Sequence, residues 1–130
     1  MQDPVTVLKL APLLADLDDA EISVLADAML PATFNAGDLI TAEGAGADGF
    51  FVVESGDAGV TVHGEPRGAM GPGDCFGEVA LLMGSERTAT IAAISDVHCY
   101  SLDAASFVEI VEANPAIAWK FMQSMADRLS

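Results

Sequence analysis

The feature that most restricts how this chain can fold is the spacing of its turn signals. Between residues 35 and 96, sharp-turn clusters recur at short intervals: Asn35-Ala36-Gly37-Asp38, Asp48-Gly49, Ser55-Gly56-Asp57, Gly71-Pro72-Gly73-Asp74 and Ser95-Asp96. Glycine reaches backbone angles that other residues avoid, proline presets one angle, and Asn, Asp and Ser bond back to their own backbone. Between these clusters lie apolar runs too short to be helices: residues 39–41, 50–53, 59–62, 88–93 and 97–102. Short apolar runs with regular punctuation predict an antiparallel sandwich or barrel. Residues 59–62 are expected to pair with 50–53 as a hairpin across Ser55-Gly56-Asp57.

Both ends of the chain change period. Asp18-Asp19-Ala20-Glu21 fits a capping box, with Asp18 as N-cap and Glu21 reaching back to it. Ile22, Leu25, Ala26 and Met29 follow at helical spacing, and Pro31 is expected to close that helix. Residues 5–14 are apolar at the same spacing and predict a short leading helix. After the strands, Asp103 reads as an N-cap, and Phe107, Ile110 and Val111 form an apolar face. Asn114-Pro115 breaks and restarts the helix. Ala118, Trp119, Met122 and Met125 then continue at helical spacing. The expected fold is mainly β with flanking helices, as one domain over residues 1–130. An N-terminal helical segment covers 1–31, an antiparallel β-roll of jelly-roll type covers 32–103, and two C-terminal helices cover 104–130.

Charge narrows the functional classes. Asp and Glu number 20 against 5 Lys and Arg, a formal net charge of −15. Direct nucleic-acid binding needs a basic surface that displaces counterions, and this chain lacks one. An anionic membrane surface would repel it. At 52% hydrophobic residues, the chain is nevertheless a core-forming one. No apolar stretch approaches the roughly 18 residues that suggest a membrane span. No basic block precedes an apolar run at the start, so a cytoplasmic location is expected. Cys75 and Cys99 lack metal-ligand spacing and read as reduced core residues. His63 and His98 are isolated, so no metal is expected. No nucleophile and base stand together, which argues against an enzyme.

One segment breaks the β pattern. Phe76-Gly77-Glu78-Val79-Ala80-Leu81-Leu82-Met83 has helix formers in a row and no alternation, predicting a short helix between strands. Glycine at its start lets a ligand approach the backbone. The unpaired amides of a helix N-terminus, with the dipole behind them, favour an anion. Arg87 follows, the only positive charge between Arg67 and Lys120. Its planar fork matches two phosphate oxygens. Residues 73–91 therefore read as a site for a small phosphate-bearing ligand.

Gly73-Asp74-Cys75-Phe76-Gly77-Glu78-Val79-Ala80-Leu81-Leu82, followed by Arg87-Thr88-Ala89-Thr90-Ile91, resembles the phosphate-binding cassette of cyclic nucleotide-binding domains. The Glu78-to-Arg87 spacing is similar, and so are the flanking helices and the pairs Gly37-Asp38, Glu43-Gly44 and Ser55-Gly56. The resemblance implies that Arg87 pairs with the exocyclic oxygens of a cyclic phosphate, and that Glu78 accepts a hydrogen bond from the ribose 2′-hydroxyl. Phe76 and the backbone of Gly77, Glu78, Val79, Ala80 and Ala89 would complete the contacts. Thr88 would lie beside base and phosphate, and Trp119 would close over the base. Glu86 stands where many members carry proline, and would pair with Arg87 when the site is empty. The implied ligand is cAMP first and cGMP second, with no cofactor. The implied role is a regulatory sensor that couples binding to movement of its C-terminal helices, as a homodimer or beside an attached effector domain. The alternative is a degenerate domain of the same fold that serves in dimerisation or docking without nucleotide. Cupins share a similar fold, but the clustered histidines of a cupin metal site are missing.

Overall fold

Among the described residues, three of the four α-helices open on an aspartate whose carboxylate fills the vacancy at the helix start. The computed structural model describes residues 2–41, 49–76 and 89–129. Helix α1 (Pro4–Leu10) is capped by Asp3, which accepts from the Thr6 amide and the Thr6 hydroxyl, each at 2.9 Å. The backbone bond from Thr6, then the hydroxyl bond, hold the Asp3 carboxyl below its ordinary pKa. Helix α2 (Asp19–Ala28) carries the expected capping box: Glu21 donates its amide to Asp18 at 2.8 Å, and Asp18 donates its own to Glu21 Oε1 at 2.9 Å. Helix α3 (Ala104–Ala113) is capped by Asp103, which accepts from the Ser106 amide at 2.7 Å. A cap of this kind stabilises a helix by about 1 kcal/mol. Asn114 ends α3 and Pro115 opens α4 (Pro115–Leu129), as the Asn-Pro break predicts.

Two helical expectations need correction. The leading helix does not run through residue 14. It stops at Leu10, and a 3-10 turn follows at Pro12–Leu14. Pro12 has no N–H to continue the α-helical ladder, and Ala11 before it is extended. Pro31 does not close α2 either; the helix ends at Ala28, and Pro31 sits inside the first strand. That strand has a single neighbour among the described strands, so a residue without an N–H is tolerated on its outer side.

Eight strands lie among the described residues: β1 (Leu30–Phe34), β2 (Leu39–Thr41), β3 (Gly49–Ser55), β4 (Ala58–Val62), β5 (Glu65–Met70), β6 (Cys75–Phe76), β7 (Thr90–Ala93) and β8 (Val97–Asp103). They form two antiparallel four-stranded sheets, ordered β1-β8-β3-β6 and β2-β7-β4-β5. The expected β-roll with flanking helices is therefore present.

The hairpin expected between 50–53 and 59–62 is absent. Strand β3 pairs with β8 and β6, and β4 pairs with β5 and β7 in the other sheet. The turn at Ser55-Gly56-Asp57 is a crossover. It is stapled to the β7–β8 turn: Asp57 donates its amide to Ser95 Oγ at 3.0 Å and accepts at its carbonyl from Ile94 at 2.9 Å. The hairpin that does form joins β4 to β5 through His63 and Gly64, both with positive φ, as a tight turn of this hand requires. Strand β5 is not legible in the sequence. Glu65, Pro66, Arg67 and Gly68 are poor strand formers, and the strand is an exposed edge.

The inner strands β3 and β8 of the first sheet are buried on both faces. Phe50, Val52, Tyr100 and Leu102 face the helices, in one cluster with Leu8, Leu25, Phe107, Ile117 and Phe121. Val53, Val97 and Cys99 face the second sheet, in a cluster with Ile40, Phe76 and Ile91. Double burial explains why residues 50–53 read as an unbroken apolar run. Phe50, Phe107 and Phe121 meet with ring centroids 5.5–6.3 Å apart and hold both C-terminal helices to the sheet. Cys75 and Cys99 are buried and unbridged. Burial pushes the Cys99 thiol up to about 11.

The face of α4 also needs correction. Ile117, Phe121 and Ser124 are its buried positions, whereas Trp119 and Met122 are exposed. Both sets repeat at helical spacing, and only packing decides between them.

Candidate functional site

The turn at residues 71–74 launches the segment of interest. Asp74 donates its amide to the Gly71 carbonyl at 3.0 Å, and its carboxylate accepts the Gly71 amide at 2.8 Å. Gly73 donates to the Val53 carbonyl and Asp74 accepts from the Val53 amide, each at 2.9 Å, which continues the β3 ladder into the turn. Gly73 also lies against the end of α1: a Cβ there would sit 3.1 Å from the Leu10 carbonyl oxygen. The turn is thus wedged between a strand and a helix before the chain enters β6.

Phe76 is the last residue of β6, opposite Phe51 on β3. It closes the strand one residue before Gly77, where the sequence reading starts its short helix. Its ring is buried and stacked on Phe51, with centroids 4.8 Å apart and planes 12° from parallel. It shares a core cluster with Ile40 of β2 and Ile91 of β7. On the opposite sheet the chain re-enters at Ala89, just before β7. The Thr41 hydroxyl, at the end of β2, donates to the Ala89 carbonyl at 3.4 Å. Residues 77–88 therefore connect the edge of one sheet to an inner strand of the other. Residues 42–48 make the second such connection, from β2 to the start of β3. The described residues that bound them, Thr41, Phe76 and Ala89, lie at one end of the roll: Thr41 bonds to Ala89, and Phe76 shares a core cluster with Ile40 and Ile91.

Of the site residues expected from the sequence, Phe76, Ala89 and Trp119 are described. Phe76 and Ala89 flank the same connection from the two sheets. Trp119 lies on α4 with 59% exposure, outside both core clusters. Gly77, Glu78, Val79, Ala80, Arg87 and Thr88 lie outside the described residues, as do Glu86, Glu43-Gly44 and the rest of the expected short helix. Phe51, Ile40, Ile91 and Thr41 were legible as strand residues but not as parts of this end of the roll. The only signal for Thr41 is a polar residue closing an apolar strand.

The described cations are already committed. Lys9 pairs with Asp19 at 3.2 Å, Arg67 with Glu65 at 3.6 Å, and Lys120 with Glu21. Two other cations occur in the sequence: Arg87, within the connection, and Arg128, near the end of α4. No group of three His, Cys, Asp or Glu with metal-binding geometry occurs among the described residues. No helix among them is long and apolar enough to cross a membrane.

The family profile of the cyclic nucleotide-binding domain matches residues 31–114, well over half of the chain. The chain belongs to that family. Its roll, two-sheet order and flanking helices are those of a cyclic nucleotide-binding domain, and the family is one of regulatory ligand-binding domains. A solved structure of the N-terminal domain of a transcriptional regulator from Streptomyces coelicolor is 28% identical, with a TM-score of 0.81, covering 95% of this chain and 91% of that one. The regulatory domain of Toxoplasma gondii PKA, crystallised with cAMP, is 25% identical with a TM-score of 0.81, covering 95% of this chain and 49% of that one. The cAMP-bound PfPKA-R is 28% identical with a TM-score of 0.77, at 95% and 45% coverage. This cyclic nucleotide-binding domain thus spans most of the bacterial domain but about half the length of the two kinase chains.

Proposed function

We propose that this chain is a cAMP sensor in which Arg87 holds the cyclic phosphate and Glu78 the ribose 2′-hydroxyl. The observation that carries the reading is the connection over residues 77–88. It holds the sequence Gly77-Glu78-Val79-Ala80 and Arg87-Thr88, and it is bounded by Phe76 on one sheet and Ala89 on the other, in a chain of this family. The likeness to two cAMP-bound kinase regulatory chains favours cAMP over cGMP. In this reading Thr88 would touch both phosphate and base, and Trp119 would cover the base from α4. Phe76 serves as floor through its stack on Phe51, leaving its backbone for the ligand. Ligand binding would draw in the connection and bias the position of α3 and α4, which is the output passed to a second copy or an attached effector.

The test is titration calorimetry with cAMP and with cGMP, on the wild type and on Arg87→Ala. Binding of cAMP tighter than cGMP is expected. Loss of the charge-assisted pair in Arg87→Ala should weaken cAMP by about 100-fold, since such bonds are worth roughly 1.5–3 kcal/mol each. At 100 times Kd, cAMP should stabilise the wild type by about 2.7 kcal/mol. A wild type that responds to neither nucleotide would overturn the reading and leave a docking or dimerisation role.

A further inference from the structure

One ion pair among the described residues joins the N-terminal and C-terminal helices. Lys120 of α4 donates to Glu21 Oε1 of α2, across 99 positions of sequence. It differs from the other described ion pairs in its surroundings. The Lys120 and Glu21 side chains are 29% and 15% exposed, whereas Lys9–Asp19 and Arg67–Glu65 are all more than half exposed. Ile117 and Phe121 flank Lys120 on α4, and both are in the core with Ile22 and Leu25 of α2. The hydrogen bond to Glu21 holds the Lys120 pKa above the ordinary lysine range against the opposing effect of burial, and the charges of Asp18 and Asp16 add to it.

The acceptor atom is already in use. Glu21 Oε1 also accepts the Asp18 amide, the return bond of the capping box. Two donors from opposite ends of the chain therefore share one oxygen, which has two lone pairs to offer. We propose that Glu21 is a two-way latch, whose single oxygen both closes the first turn of α2 and positions the C-terminal helix through Lys120. The apolar contacts of Ile117 and Phe121 hold α4 against the bundle. The ion pair, which is only partly buried, sets where along α2 the helix rests, a registry role of the kind charged and polar groups serve in helical assemblies. Trp119, the neighbour of Lys120, is turned to solvent by the same seating. The latch does not depend on the nucleotide; only its value as an output control rests on the proposed sensor role.

The experiment uses the nucleotide-free chain, so its result is independent of whether cAMP binds. Glu21→Gln keeps an oxygen for the Asp18 amide but loses the charge. Lys120→Met keeps most of the aliphatic stem but loses the donor, and Lys120→Arg restores one. Amide hydrogen exchange is read at Asp18 and along α4. Anisotropy of Trp119, the single tryptophan, reports the seating of α4. Both Glu21→Gln and Lys120→Met should speed α4 exchange by roughly 2- to 5-fold, the scale of one partly screened ion pair. Both should lower Trp119 anisotropy, with the double variant no worse than either single one. Lys120→Met should also speed exchange of the distant Asp18 amide by a similar factor, because Glu21 is no longer pinned, and Lys120→Arg should reverse this. An unchanged Asp18 amide in Lys120→Met, or additive effects in the double variant, would overturn the proposal.

Discussion

At the scale of single residues, the decisive positions are those where a backbone atom leaves no room. Gly56 has φ of +92°, and a Cβ there would lie 2.1 Å from the Asp96 carbonyl oxygen. The obstacle is backbone held by the Asp57–Ser95 staple, so it cannot rotate aside. Gly56→Ala should destabilise the fold by more than about 1–3 kcal/mol, the range for a strained left-handed residue before the overlap is added. Urea unfolding checks this, as a lowered midpoint with an unchanged slope. The need for a turn at this position is legible in Ser55-Gly56-Asp57. That the turn changes sheets is not, because its obligatory neighbour, Asp96, is 40 positions away.

Among elements, α4 shows how packing selects between two faces that the sequence offers equally. Ala118, Trp119, Met122 and Met125 recur as well as Ile117, Phe121 and Ser124. The second set wins because Phe121 meets Phe50 and Phe107 edge-on, a geometry that aromatic quadrupoles favour. Phe121→Ala should therefore cost about 3–5 kcal/mol, with loss of α4 protection before loss of the β3–β8 ladder. Hydrogen exchange of α4 and β8 amides in that variant measures the order. If both elements exchange together, α4 is one cooperative unit with the roll and cannot move alone in response to ligand.

For the whole molecule, charge is the dominant global property. A net charge of −15 repels an anionic nucleotide at distances beyond the reach of Arg87. The screening length falls from about 30 Å at 0.01 M salt to about 8 Å at 0.15 M. Under the proposed function, association with cAMP should therefore speed up as salt is raised over that range, the reverse of a cationic ligand site. Stopped-flow association rates at the two ionic strengths test this. Rates that fall with salt would mean that the local field of the site outweighs that of the surface.

Much of this protein is decided within short windows of sequence. The caps at Asp18 and Asp103, the Asn114-Pro115 break, the turns at 35–38 and 71–74, and the motif that resembles a cyclic nucleotide cassette each depend on a few consecutive residues. The backbone geometry of those residues is local, so their pattern suffices. Tertiary structure alone decided that β3 and β4 part company, that Glu65–Met70 is a strand, which face of α4 is buried, and that Lys120 reaches Glu21. Each of those outcomes depends on partners distant in the chain, and a doubly buried strand loses the alternation that would otherwise reveal which side it faces.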